Sequence, residues 1–182
     1  MEATALMKES VRVELSAKNI KTLISKHREH QISGGKSGVR LTDLSGFIIQ
    51  NADFSDLDLS DLCAHDSKIS NCTFNSTDLN HAQFGNCEIS ETTFYNAELS
   101  KSDFHSCKFL NVKFDKANLV RAEISDSEIN NSSFIETSLV GTDFDNCDLT
   151  QANFSSAVFS NTYFHDCTIP GEIADMKGAV IK

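Results

Sequence analysis

One periodicity dominates this chain. From Leu44 to Ile169 every fifth residue is large and apolar, with Ala64 the sole exception. These 26 positions hold twelve Phe, seven Leu and six Ile, and they take twelve of the 13 Phe in the chain. An amphipathic helix would repeat its apolar face at about 3.6 residues and a half-buried strand at about 2, so neither accounts for the pattern. Two residues before each large side chain stands a small one. Of those 26 positions, 23 are Ala, Ser, Thr, Cys or Val, and the exceptions are Phe47, Leu57 and Leu62. The unit reads small–polar–large–polar–polar, as in Ala52-Asp53-Phe54-Ser55-Asp56. Two inward residues in every five, with no insertion, make each unit turn the chain in the same way. The expected shape is a coil with flat sides.

The number of sides follows from sorting the large residues at a period of twenty. Phe54, Phe74, Phe94, Phe114, Phe134 and Phe154 form one column, the expected structural core. Leu59, Leu79, Leu99, Leu119, Leu139 and Phe159 form the next. A third holds Ile49, Ile69, Ile89, Phe109, Ile129, Leu149 and Ile169, and the last, running from Leu44 to Phe164, is mixed. Like stacks on like every twenty residues, so four units make one turn. Turns stacked as parallel strands lie about 4.8 Å apart, which makes six and a half turns a rod roughly 31 Å long. One unit cannot bury its own apolar side, so stability depends on stacking.

This repeat, seen in Ala52-Asp53-Phe54-Ser55-Asp56 and Ala97-Glu98-Leu99-Ser100-Lys101, resembles the pentapeptide repeat family and its A-(D/N)-L-x-x pattern. The likeness covers Thr42 to about Ile169. It implies an all-β solenoid, a right-handed quadrilateral parallel β-helix, here of about six and a half coils. Three regions are expected: an N-terminal cap over 1–41, the β-helix over 42–169, and an end segment over 170–182.

Solenoid ends expose core and strand edges and need covering. Ile20, Leu23, Ile24 and His27 follow helical spacing and predict a helix over 17–31, with Ser16 as N-cap and Gly34-Gly35 as its stop. Its apolar stripe would sit on the first coil, where Phe47, Leu57 and Leu62 replace small residues. Val11 to Leu15 alternates and suits a short edge strand. At the far end Pro170-Gly171 breaks the register, and Ala174-Asp175-Met176 and Ala179-Val180-Ile181 read as two further repeats displaced by two residues. No polar cap is evident there, and an uncovered end invites pairing into a homodimer.

No catalytic, cofactor-binding or metal residue is expected. Cys72, Cys87, Cys107, Cys147 and Cys167 occupy the small inward position, and none has a Cys-x-x-Cys partner. His27-Arg28-Glu29-His30 lacks the spacing of a metalloprotease motif and is read as the polar face of the cap helix. His65, His105 and His165 share one outward column, but His65 and His105 are two coils apart, too far for one metal. Gly34-Gly35-Lys36-Ser37 lacks the first glycine and preceding strand of a phosphate loop. The carboxylates are scattered over a convex surface, whereas acid–base catalysis needs a cleft that shifts pKa values.

Charge narrows the partners. Residues 42–169 carry twenty Asp and Glu against six Lys and Arg, while 1–41 carry eight Lys and Arg against four Glu. An acidic rod repels phosphates, so nucleic acid should not bind along it. No apolar run approaches the roughly 20 residues of a membrane span, and the first residues lack a signal-peptide layout. A cytoplasmic, bacterial-type scaffold for an unknown protein partner is the expectation. Its surface candidates are the columns Asp43, Asp103, Glu123, Asp143 and Asp58, Asp78, Glu98, with Tyr95 and Ile135 as outward apolar residues. The units Asn86-Cys87-Glu88-Ile89 and Ser106-Cys107-Lys108-Phe109 are similar to those of quinolone-resistance relatives. That resemblance implies an alternative, a DNA mimic acting on DNA gyrase or topoisomerase IV. An exported effector is a lesser alternative.

Overall fold

Each unit turns a corner because one residue in five takes the left-handed backbone conformation. The structure is a computed structural model and describes residues 12–171 and 176–182. Two residues after nearly every large inward side chain, φ is positive, as at Asn51 (55°), Asp56 (60°) and Asn71 (52°). Gly46 and Gly141 take the same position at 73° and 70°. An L-residue loses about 1–2 kcal/mol there, and Asn and Asp tolerate it best. Thirteen of the twenty-two non-glycine residues with positive φ are Asn or Asp, which accounts for part of their abundance in the chain.

Between corners the chain runs extended for a few residues and pairs with the segment one turn on. The elements in order are β1 (Val13–Glu14), α1 (Ala17–Ile32), β2 (Phe47–Gln50), β3 (Lys68–Ser70), β4 (Glu88–Ser90) and β5 (Asp103–His105). Then come β6 (Lys108–Leu110), β7 (Glu123–Ser125), β8 (Glu128–Asn130), β9 (Asp143–Asp145), β10 (Thr162–His165) and β11 (Ala179–Ile181). One face is the sheet β1-β2-β3-β4-β6-β8, and another is β11-β10-β9-β7-β5. All pairings are parallel, with Ile49 opposite Ile69, Ile69 opposite Ile89, and Phe104 opposite Ile124. The two remaining faces are held by single bridges, such as Asp53 to Thr73 and Asp58 to Asp78. The result is a parallel β-solenoid of about six turns with four faces and, among the described residues, a single helix.

The interior is filled by stacked rings. Phe54, Phe74, Phe94, Phe114, Phe134 and Phe154 lie face to face with centroids 4.8–5.0 Å apart, and none is more than 8% exposed. Phe84 and Phe104 stack in the mixed column and meet Phe94 and Phe114 edge-on. Parallel ladders fix the rise per turn, and that rise happens to equal a comfortable ring-stacking distance. The small inward residues are often polar, and each buried one has a partner. Ser67, Thr77, Thr137 and Thr162 donate to the carbonyls of Leu44, Phe54, Phe114 and Leu139, in the turn before. Cys87 and Cys107 donate their thiols to Ala64 and Phe84 in the same manner. A buried hydroxyl or thiol is accepted here because it never lacks an acceptor.

Helix α1 begins at Ser16, whose Oγ accepts the Asn19 N–H at 3.2 Å, and runs one residue past the expected end. It lays Ile20 against the first coil, with Leu15 and Ile24 half-buried beside it. His27 lies inward with the apolar stripe of Ile20 and Ile24, which corrects the other reading, of His27-Arg28-Glu29-His30 as a polar face. Arg28 and Glu29 are exposed, but His27 is only 1% exposed and its Nδ1 accepts the Leu41 N–H at 2.9 Å. Burial holds its imidazole below the ordinary range, against the opposing pull of Asp58. The loop back to the coil passes so close to the helix that a side chain at Gly38 would run into the Lys26 carbonyl, and φ there is 77°. Before the helix, Arg12 ties β1 down: its Nε donates to the Asp66 carbonyl at 2.8 Å and its guanidinium meets Glu88 at 2.6 Å.

At the other end β11 pairs with β10, setting Ala179 opposite Thr162 and Ile181 opposite Phe164. Met176 is buried. The Ala174 and Asp175 of the expected displaced repeat, and Val11 at the start of the alternating stretch, lie outside the described residues.

Candidate functional site

A residue standing just before an inward side chain points outward and can do one of two things with its carboxylate. It can accept the backbone N–H two residues on, bracing the corner, or it can remain at the surface. Asp43, Asp58 and Asp78 do the first. Asp43 accepts the Ser45 N–H at 2.8 Å, Asp58 accepts the Ser60 N–H and Oγ at 3.1 and 2.6 Å, and Asp78 accepts the Asn80 N–H at 3.0 Å. The Ser60 hydrogen bonds hold the Asp58 carboxyl below the usual range, opposed by desolvation and assisted by Arg40. Glu98, in the same column, accepts the Asn118 amide at 2.7 Å. The acidic stripe of Asp58, Asp78 and Glu98 is therefore engaged in bonds within the coil.

The other acidic column differs. Asp103, Glu123 and Asp143 stand directly opposite one another on β5, β7 and β9. Asp103 faces His105 Nδ1 at 3.5 Å and Asp143 faces His165 Nε2 at 3.8 Å, while Glu123 has no hydrogen bond or ion pair among the described residues. Asp143 Oδ1 has no hydrogen bond among the described residues. Asp43 belongs to this column by count but sits three turns away and is used in its corner. The face carrying β3, β4, β6 and β8 is electrically mixed, since Lys68 pairs with Glu88 at 3.2 Å and Lys108 with Glu128 at 3.7 Å.

Tyr95 and Ile135 do not form an apolar patch. Asp115 stands between them and accepts the Ile135 N–H at 3.1 Å, and Lys116 lies over the Tyr95 ring at 5.5 Å. A groove of about 460 Å³ runs between α1 and the first coil, lined by Ile20, Ile24, Ala52, Lys21, Arg28 and Asp53. The Asp53 carboxyl in its lining is held low by Ser55 hydrogen bonds and by Arg28. No helix among the described residues is long and apolar enough to cross a membrane.

The six cysteines are free thiols. Cys72, Cys87, Cys107 and Cys147 are buried at the small inward position, Cys167 is half-buried there, and Cys63 lies outward beside Gln83. The separation of His65 from His105 is also corrected. Their ring centroids are 6.0 Å apart although they sit two coils apart, because the residue between them is Gly85. The signal was available in the outward column Ser45, His65, Gly85, His105, where a glycine interrupts a run of side chains.

Two family models match the chain. The one described as pentapeptide repeat region covers residues 97–172, and the one described as SV2A/B/C luminal domain covers residues 45–114. No curated protein matches. Among solved structures, the chain is similar to HetL, a pentapeptide repeat protein from the cyanobacterium Nostoc sp. strain PCC 7120, at 20% identity and a TM-score of 0.41, covering 77% of this chain and 67% of that one. It is similar to QnrB1, a plasmid-mediated fluoroquinolone resistance protein, at 16% identity and a TM-score of 0.44, covering 79% and 86%. A pentapeptide repeat protein from the Arabidopsis thaliana thylakoid lumen shares 19% identity at a TM-score of 0.38, covering 70% and 71%. Residues 97–172 are thus matched as a pentapeptide repeat region, and the unbroken period of five and the four-faced coil that it builds run through that stretch.

Proposed function

We propose that this chain is a non-enzymatic cytoplasmic scaffold that binds a protein partner through the face carrying Asp103, Glu123 and Asp143. One observation carries the reading: three carboxylates lie in register on adjacent strands without the corner bonds that engage Asp58 and Asp78. Like charges directly opposite one another on neighbouring strands repel. A cationic surface docked on them removes that repulsion, and the filled core behind holds the ladder rigid at little entropic cost on binding. The regular spacing also supports a second reading, mimicry of DNA toward gyrase or topoisomerase IV. Carboxylates repeating evenly along one face form a line of negative charge, as phosphates do along one DNA strand, although the ~4.8 Å coil rise is wider than the roughly 3.4 Å rise per phosphate.

The test compares the natural chain with an Asp103→Lys, Glu123→Lys, Asp143→Lys variant. Affinity capture from cell extract at low and high salt should retain a partner on the natural chain and lose it both with salt and in the variant. Supercoiling by purified gyrase, with and without a fluoroquinolone, separates the two readings. Salt-sensitive inhibition or protection lost in the variant supports mimicry, and indifference of gyrase leaves the general scaffold. A partner captured equally by both chains would move the binding surface off this face. End-to-end pairing through the β11 edge, where Ile181 is 46% exposed, is the surface we assign to a homodimer.

A further inference from the structure

Glycine at Gly85 is not required by its own backbone, which lies outside the positive-φ set that marks the corners. What Gly85 supplies is space. A β-carbon built there would lie 2.5 Å from His65 Nδ1 and 2.8 Å from His105 Nε2, so both ring nitrogens border one small notch. The two rings lean over it from the turns on either side, tilted 49° to each other.

The neighbours of each ring decide which nitrogen carries the proton. His65 Nε2 lies 3.3 Å from Gln83 Oε1, and the Gly85 N–H donates to His65 Nδ1 at 3.1 Å. Nε2–H therefore donates to the amide oxygen, and the lone pair is on Nδ1, toward the notch. His105 Nδ1 lies 3.5 Å from Asp103 Oδ2, so its N–H faces the carboxylate and the lone pair is on Nε2, again toward the notch. A carboxylate behind an imidazole is the arrangement that orients a metal-binding histidine and raises its basicity.

We propose that His65 Nδ1 and His105 Nε2 bind one divalent transition-metal ion, of the zinc, nickel or copper(II) kind that imidazole prefers, at the notch over Gly85. Small ring rotations bring both nitrogens to the ~2.1 Å typical of metal–imidazole bonds, with the ion held outward of the glycine. Binding exchanges the Gly85 N–H bond on His65 for a coordination bond. No three His, Cys, Asp or Glu side chains converge on one point among the described residues, so water completes the coordination sphere. The acidic ladder of Asp103, Glu123 and Asp143 on the same face raises the local concentration of cations. A bound ion would place two positive charges at one end of that ladder.

The experiment is calorimetric titration of the reduced full-length chain with Zn²⁺ and with Ni²⁺ at about pH 7.5. One ion per chain is expected. His65→Ala, His105→Ala and Gly85→Ala should each weaken binding by roughly tenfold or more, and Asp103→Asn by about tenfold. Gly85→Ala keeps both imidazoles and only fills the notch, so it separates the site from mere histidine content. Circular dichroism of each variant verifies the fold, and nitrogen-15 spectra of the histidine rings provide a second readout: Zn²⁺ should shift His65 Nδ1 and His105 Nε2. Unchanged affinity in His105→Ala overturns the proposal. So does binding that survives the double histidine variant and disappears in Cys63→Ser, which would assign the metal to a thiol.

Discussion

Consider Phe94 replaced by alanine. The ring is 0% exposed and stacks on Phe74 and Phe114, each 5.0 Å away, with Phe84 against its edge at 6.2 Å. Burying such a side chain contributes about 1.5–3 kcal/mol by transfer from water. Each aromatic contact adds about 0.5–1.5 kcal/mol, and the substitution removes three. Collapse cannot recover this loss, because the backbones above and below are held apart by their ladder hydrogen bonds. The cost should therefore lie near the top of the ~3–5 kcal/mol range of Phe→Ala changes in cores. Urea unfolding followed by circular dichroism measures it. Phe159→Ala is the internal control, since that ring is already 6% exposed and has only tilted contacts, at 5.9 and 6.3 Å. Its cost should be smaller. A loss under about 1 kcal/mol for Phe94→Ala, or a larger loss for Phe159→Ala, would refute the argument that stacking at the coil rise holds the rod together.

Other expectations concern the helix, the corners and the thiols. His27 is held neutral by burial, so its folded pKa lies below the unfolded value of 6.5. The unfolded chain then binds more protons, and the His27 contribution is present above that value and lost as pH falls toward the folded pKa. Thermal melts between neutral and mildly acidic pH should show this slope, and His27→Gln should flatten it. Lys101 holds φ at 59° without an Asn or Asp side chain to ease it. Lys101→Gly should stabilise by about 1 kcal/mol or slightly less, as left-handed strain relieved is offset by the freer unfolded chain; a clear loss in urea unfolding would show that the corner is unstrained. With a thiol reagent on the native chain, Cys63 and Cys167 should react well before Cys72, Cys87, Cys107 and Cys147, which are no more than 3% exposed. Uniform reactivity would mean that the coil opens readily.

The sequence by itself determined the architecture, down to which residues stack on which. The reason is that a solenoid is local physics repeated. Each unit meets only its neighbours twenty residues away, so the register of Phe54, Phe74 and Phe94 can be read by counting. The excess of Asn and Asp was equally visible, although one of its causes, the left-handed corners at residues such as Asn51 and Asp56, needed the backbone to be seen. What counting could not reach was the direction and use of side chains on the outside. Helical spacing put His27 on the inward stripe, but did not reveal its partner, the Leu41 N–H that the loop through Gly38 brings to it. Asp58 and Asp103 occupy the same place in their units, yet one is engaged by Ser60 and the other faces His105. His65 and His105 meet across two coils because nothing projects from Gly85 between them. Inward positions are dictated by a repeated steric rule, whereas each outward side chain settles its contacts against particular neighbours in adjoining turns, and those only the tertiary structure decided.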